Sequence, residues 1–128
     1  HPYFPERERS HLRLEVSHRW DPNEAQLPAW KVAQAGIDGD VSRLAFDHCF
    51  DGWRGPAHVA DEVFSLQLSS TLTHLVVYTP GNKAYFCVEP VSHVSDAIHG
   101  DDPAALGLRT LQPGERYDVS MTLAVAVL

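Results

Sequence analysis

The chain has 128 residues, 44% of them hydrophobic and 21% charged, which is typical of a folded globular protein of one domain or part of one. Its formal net charge of −7 argues against nucleic acid or an anionic membrane surface as a partner. No apolar run approaches the roughly 20 residues that a membrane-spanning helix requires.

Short predicted strands separated by turn residues are the dominant pattern of the chain. Leu12–Val16 alternates with period two, and Phe64–Ser69 does so more cleanly, with its apolar residues on one face. Only Ala25–Gln34 and the segment after Asp102-Pro103 are predicted to form a turn or two of helix. Neither is long enough to determine the architecture.

A hairpin is predicted where His74–Thr79 and Ala84–Glu89 flank a Pro-Gly-Asn turn signal. Within the second strand, Tyr85, Cys87 and Glu89 share a face. Because the other strand residues near Glu89 are mostly apolar, we expect its carboxylate to be partly desolvated, which raises its proton affinity and suits a general base. The alternative is a solvated carboxylate at a strand end.

A last strand is predicted over Tyr117–Leu128, where apolar residues occupy every second position. This succession of strands predicts an all-β protein, an antiparallel β-sandwich formed by one domain over residues 1–128. The sequence contains no internal repeat, low-complexity tract or linker.

The two cysteines, Cys49 and Cys87, form neither a disulfide framework nor a CxxC motif. We expect two free thiols in a reducing cytoplasm, with a single disulfide bond as the open alternative. None of the eight histidines belongs to an HxH or HExxH motif. The sequence therefore predicts no metal site and no cofactor, with a site assembled by the fold from scattered residues as the open alternative.

Three motifs point to one family. The chain opens with HPYF at His1, residues 46–53 read FDHCFDGW, and residues 87–98 read CVEPVSHVSDAI. In this order and spacing they resemble the C-terminal half of the aldose 1-epimerase (galactose mutarotase-like) family, over most of the chain. The resemblance implies that family's large antiparallel sandwich. Because chains of that family are about twice this length, we expect half of such a sandwich, stable only beside its missing half or in an oligomer. The start inside a motif without Met also suggests that the chain is a piece of a longer product.

The resemblance implies an aldose 1-epimerase activity, in which a hemiacetal ring opens and closes again on its other face. It implies that Glu89 is the general base, His1 the general acid, and Asp47 a carboxylate that hydrogen-bonds substrate hydroxyls. The acid and the base are expected about a sugar ring's width apart. His48 and His93 adjoin motif residues and are further candidates for lining the pocket.

Each assignment has a structural alternative. Trp53 offers a flat surface for a sugar ring, but a tryptophan is more often a core residue. Asp47 is flanked by aromatic residues and is expected to be partly buried, yet it also suits a turn or strand-end cap. His1 has the alternative of a disordered terminus, whereas Tyr3 and Phe4 are expected to anchor its segment in the core.

Three functions remain open, and the motifs favour the first: an enzyme that needs its other half, a non-catalytic carbohydrate-binding module on the same scaffold, or a structural sandwich without a sugar pocket. The expected partners are a small-molecule sugar and either the missing half or an oligomer partner. Since the pocket would be open to water on one side, we expect the isolated chain to be inactive or nearly so. The scarcity of Arg and Lys around the proposed pocket disfavours a phosphorylated sugar.

Overall fold

The computed structural model describes all 128 residues and contains two antiparallel β-sheets that enclose one core. The strands are β1 (Tyr3–Phe4), β2 (His11–Glu15), β3 (His18–Pro22), β4 (Pro28–Ala33), β5 (Ile37–Asp40), β6 (Asp47–Asp51), β7 (Arg54–Ala60), β8 (Phe64–Ser70), β9 (His74–Tyr78), β10 (Phe86–Val91) and β11 (Met121–Val127). Two short 3₁₀ helices span Val41–Arg43 and Ala97–His99. Sheet 1 has the strand order β1-β10-β9-β6-β3-β4, and sheet 2 the order β11-β8-β7-β2-β5. The predicted all-β antiparallel sandwich is confirmed.

Alternation of side chains builds the core between the two sheets. In β2, Leu12 and Leu14 are buried while the residues between and beside them are exposed. In β10 of the opposite sheet, Phe86 and Val88 are completely buried in the same cluster. Full burial of one Leu, Val or Phe side chain contributes about 1.5–3 kcal/mol to the stability of the fold. The inner face of each sheet therefore packs in the core, and the outer face is available to carry a functional site.

The predicted hairpin is present, with β9 and β10 paired in antiparallel register. Glu89 lies opposite Val76, and Val91 lies opposite His74. The carboxylate end of β10 is therefore near the start of β9, as the sequence predicts. Phe86 and Val88 face the core, so Cys87 and Glu89 face outward.

The helix predicted over Ala25–Gln34 is wrong, because this segment forms a turn followed by edge strand β4. The Asn23 side chain accepts hydrogen bonds from the backbone N–H groups of Ala25 and Leu27 and closes the turn. Pro28 then begins β4, a position that proline tolerates in an edge strand. The segment after Asp102-Pro103 forms hydrogen-bonded turns and no helix.

Strand β11 is the least covered element of the sandwich. It begins at Met121, later than the predicted Tyr117, and all seven of its residues are exposed. Leu123 and Val125 pair with Leu68 and Leu66 of β8, so their side chains continue the inner face of sheet 2. No strand of sheet 1 covers that continuation, since both residues are more than 40% exposed.

Residues 92–108 cross part of the outer face of sheet 1. Val94 and Ala97 are buried there, and Val94 N–H donates a hydrogen bond to the Leu106 carbonyl. Apart from the two 3₁₀ turns the chain forms no helix, and nothing helical in this structure has the length and apolarity needed to cross a membrane.

Candidate active site on the outer face of sheet 1

The candidate site lies on the face of sheet 1 that points away from the core. Residues directly opposite one another in antiparallel strands project from the same face. One row across β1, β10, β9 and β6 consists of Tyr3, Cys87, Tyr78 and Asp47. The next row, from β10 to β3, consists of Glu89, Val76, Cys49 and Trp20. Strand pairing thus brings residues far apart in the sequence onto one surface.

Glu89 is the titratable group at the centre of this surface. Its side chain is only 12% exposed, so the alternative of a solvated strand-end carboxylate does not describe it. Burial raises the pKa of Glu89 above its usual range. The negative charge of Asp47 adds to this shift. The carboxylate is therefore a stronger proton acceptor than an ordinary surface glutamate.

His1 contacts Glu89 directly. Its Nε2 atom lies 3.2 Å from Glu89 Oε1, and its ring stacks on Tyr3 with 4.9 Å between ring centroids. The sequence predicts the acid and the base about a ring's width apart, whereas here they touch. Because the His1 side chain is 56% exposed, little packing holds it in this contact.

Asp47 lies on the same face, at the start of β6, but it is exposed, contrary to the predicted partial burial. Its carboxylate accepts no hydrogen bond from the protein, so both oxygens are available to a ligand. Asp47 lies two strands from β10 on this face, and its negative charge adds to the raised pKa of Glu89. A depression of about 100 Å³ beside Asp47 is smaller than the roughly 300 Å³ typical of ligand pockets. These residues thus form one wall of a site, not an enclosed pocket.

Trp53 lies elsewhere. It is 5% exposed and belongs to the core cluster, so its ring has no accessible face for a sugar. The core alternative describes this residue, and Trp53 is not part of the site proposed below. Its indole Nε1–H has no hydrogen-bond partner.

Neither His48 nor His93 joins Glu89. His48 is opposite Val77 and projects from the core side of β6, where its ring packs against Phe46. Burial there lowers its pKa. His93 follows the end of β10, contacts Ser92 Oγ through Nδ1 at 2.6 Å, and lines a separate cavity of about 400 Å³. His48 also lines the small depression beside Asp47, whereas His93 lines a different cavity.

The sequence reasoning missed two tyrosines and a tryptophan on this face. Tyr3 is 59% exposed and packs against Tyr85, so only Phe4 of this pair anchors the segment in the core. Tyr78 faces outward opposite Cys87. Trp20 donates its indole N–H to Asp51 Oδ2 at 3.0 Å. The alternation of HPYF and the hairpin register carry the signal for both tyrosines, but nothing local identifies Trp20.

Both cysteines are buried free thiols, as predicted. They lie on β6 and β10, which are separated by β9, and strands two apart are about 9.6 Å from each other. A disulfide bond needs a Cα–Cα distance of about 4.4–6.8 Å, so the alternative of a bridge is excluded. Burial raises the pKa of each thiol to about 11.

A two-sheet antiparallel sandwich with a carboxylate–imidazole pair on an open sheet face places the chain in the galactose mutarotase-like class of β-sandwiches. A sequence model of the aldose 1-epimerase family matches residues 1–124, and the chain belongs to this family. The predicted resemblance is confirmed.

Individual relatives agree with this assignment. An uncharacterised protein of Escherichia coli K12, YphB, is 28% identical over 98% of this chain and 48% of its own length. The crystal structure of an E. coli K12 protein assigned provisionally to the aldose 1-epimerases superposes with a TM-score of 0.84 at 25% identity, over 99% of this chain and 49% of that one. A galactose mutarotase-like protein of Clostridium acetobutylicum shares the fold, with a TM-score of 0.76 at 17% identity, over 100% of this chain and 46% of that one. The chain thus spans about half the length of the relatives that it matches.

Proposed function

We propose that the protein is an aldose 1-epimerase that interconverts the α and β anomers of a sugar. The observation that supports this most strongly is the mostly buried Glu89 carboxylate beside the His1 imidazole, on an open sheet face of a chain of this family. The two groups can exchange protons in either direction, which a reaction with matched ring opening and ring closure requires.

The proposed mechanism assigns one proton transfer to each group. Glu89 accepts the proton of the anomeric hydroxyl while His1 donates a proton to the ring oxygen, and the bond between the anomeric carbon and the ring oxygen breaks. The open aldehyde rotates about its bond to the next carbon. On closure His1 takes back the proton from the attacking hydroxyl and Glu89 returns one to the carbonyl oxygen. General acid–base catalysis of this kind contributes about 10²–10⁴-fold in rate.

Substrate binding must replace the direct contact between His1 and Glu89. We propose that His1, whose side chain is more than half exposed, moves away while Glu89 stays fixed within β10. The sugar then lies between them, and the unpaired carboxylate of Asp47 accepts hydrogen bonds from its hydroxyls.

We also propose that the rest of the pocket comes from protein outside these residues, either further chain or a partner subunit. The open site and the relatives' greater length support this. A closed pocket would exclude water and strengthen each hydrogen bond to the sugar. The reduced thiols support the cytoplasm as the place of action.

A polarimetric assay of the complete natural protein tests the proposal, with hexoses, pentoses and hexose 6-phosphates as substrates. We expect faster mutarotation with at least one sugar and a loss of about 100-fold or more in kcat for Glu89→Gln. Glu15→Gln, at an exposed position of β2, is the matched control and should retain full activity. Saturable sugar binding without rate enhancement would instead favour the carbohydrate-binding module, and a full rate for Glu89→Gln would refute the assigned base.

A further inference from the structure

Three side chains of different metal-binding types meet beside β1 and β10. A ring nitrogen of His1, Cys87 Sγ and a carboxylate oxygen of Glu89 all lie within 4.8 Å of one another. We propose that this cluster is a binding site for a thiophilic divalent cation, represented by Zn²⁺. No local sequence motif points to this site, because the histidine is separated from the other two residues by more than 80 positions. The pairing of β1 with β10 brings them together.

The distances fit a tetrahedral ion after small movements. With Zn–N and Zn–O bonds of about 2.0–2.1 Å and a Zn–S bond of about 2.3 Å, a tetrahedron has N···O edges of about 3.3 Å and edges to sulfur of about 3.6 Å. The His1–Glu89 contact of 3.2 Å already matches the first edge. The edges to Cys87 need to shorten by at most 4.8 − 3.6, or about 1.2 Å.

The scaffold leaves these movements to the side chains. Cys87 and Glu89 are alternate residues of β10, so the strand fixes the spacing of their backbones, and the edge from Sγ to the carboxylate shortens by rotation of the two side chains. His1 is exposed and held mainly by stacking on Tyr3, so its ring can also adjust to the ion. The three side chains then close three corners of a tetrahedron, with the fourth left to water or another small ligand.

The donor set selects the kind of ion. Thiolate and imidazole ligands favour Zn²⁺ and related transition metals, whereas Mg²⁺ and Ca²⁺ prefer all-oxygen sites. The carboxylate of Asp47, two strands away on the same face, adds negative charge to this surface. On binding, the thiol of Cys87 releases its proton to water and ligates the ion as a thiolate, with no change of oxidation state.

An ion in this site would hold both groups of the proposed proton-transfer pair. Zn²⁺ and sugar would then compete, so the metal would act as an inhibitor. This consequence rests on the proposed function, whereas the binding itself does not. A chain that binds Zn²⁺ without catalysing mutarotation would retain the site and lose only the inhibitory role.

Cobalt titration of the complete natural protein, freed of metal by a chelator and kept reduced, tests the site. We expect one Co²⁺ per chain, an absorption band from thiolate-to-cobalt charge transfer, and displacement by Zn²⁺ but not by Mg²⁺. Cys87→Ser should abolish the band and weaken Zn²⁺ binding at least tenfold. Cys49→Ser is the matched control, because Cys49 is also buried on this face but lies two strands away, and it should retain both properties.

A band that survives in Cys87→Ser, a band lost in Cys49→Ser, or no stoichiometric binding would overturn the proposal. X-ray absorption of the Zn²⁺-loaded wild-type protein gives an answer that does not depend on how the variants fold. One sulfur among nitrogen and oxygen ligands supports the site, and a spectrum without sulfur rejects it.

Discussion

At the level of single residues, Glu89 is a carboxylate whose side chain is only 12% exposed. Burial is the main cause of its raised pKa. In the folded protein the protonated form is therefore favoured more than in an exposed glutamate. A general base must be ionised, so this shift determines where on the pH scale the proposed reaction can start.

The pH dependence of mutarotation follows from the sign of this shift. As the pH falls through the raised pKa of Glu89, the base becomes protonated and kcat/KM declines. We expect this acidic limb above about pH 4.3, the unperturbed value for glutamate. The measurement is a polarimetric pH–rate profile of the complete protein in the presence of a chelator.

A control variant separates this shift from the neighbouring carboxylate. Asp47→Asn removes a charge that raises the pKa of Glu89, so the acidic limb should move to lower pH while the reaction persists at reduced efficiency. An acidic limb at or below about pH 4.3 in the wild-type protein would argue against Glu89 as the base.

At the level of elements, one carboxylate ties three strands of sheet 1 together. Asp51 of β6 accepts a hydrogen bond from Trp20 of β3 at 3.0 Å and contacts Lys31 of β4 at 2.9 Å. Burial alone would raise the pKa of Asp51, but the hydrogen bonds from Lys31 and Trp20 outweigh it, so the pKa lies below its usual range. Edge strand β4 is mostly exposed and has little core packing, so it depends on such ties.

Asp51→Asn should therefore lower the free energy of unfolding by about 1–3 kcal/mol at pH 7, because charged hydrogen bonds between strands are lost. A folded-state pKa below the unfolded value of about 3.9 stabilises the fold above that pH, and this contribution disappears as the pH falls through the folded-state pKa. Urea unfolding at pH 7 and at acid pH measures both effects. Asp118→Asn, at an exposed position, should change stability by less than about 0.5 kcal/mol. An equal loss at both pH values would contradict the electrostatic explanation.

Strand pattern and register explain which parts of the site could be predicted. The alternation in β10 and the turn before it predict correctly that Cys87 and Glu89 face the same side. The same rule applied to Phe46, His48 and Phe50 would have placed His48 on the core side, where it lies. Trp20 could not be found in this way, because its position depends on the long-range pairing of β3 with β6. Trp53 is a residue type that often stacks on sugar rings, and only its burial in the core shows that it cannot do so here.

At the level of the whole molecule, β11 leaves an apolar face uncovered. The side chains of Met121, Leu123, Val125 and Val127 are 44–84% exposed, although they extend the inner face of sheet 2. A contiguous apolar patch on an edge strand promotes aggregation when it is left uncovered. If the predicted missing half or oligomer partner exists, this face is where its packing would bury the most apolar surface, on a different sheet from Glu89.

Leu123→Ser in the complete natural protein tests whether β11 is buried there. If further protein covers this face, the substitution removes a buried aliphatic side chain and should cost about 2–3 kcal/mol of unfolding free energy. Ala124→Ser is the matched control, since Ala124 pairs with Gln67 and points to the opposite face. Its effect should stay within about 0.5 kcal/mol, the range of ordinary surface substitutions. If both variants lose equally little unfolding free energy in urea, β11 remains exposed in the complete protein. The stability of the complete protein then does not depend on this face.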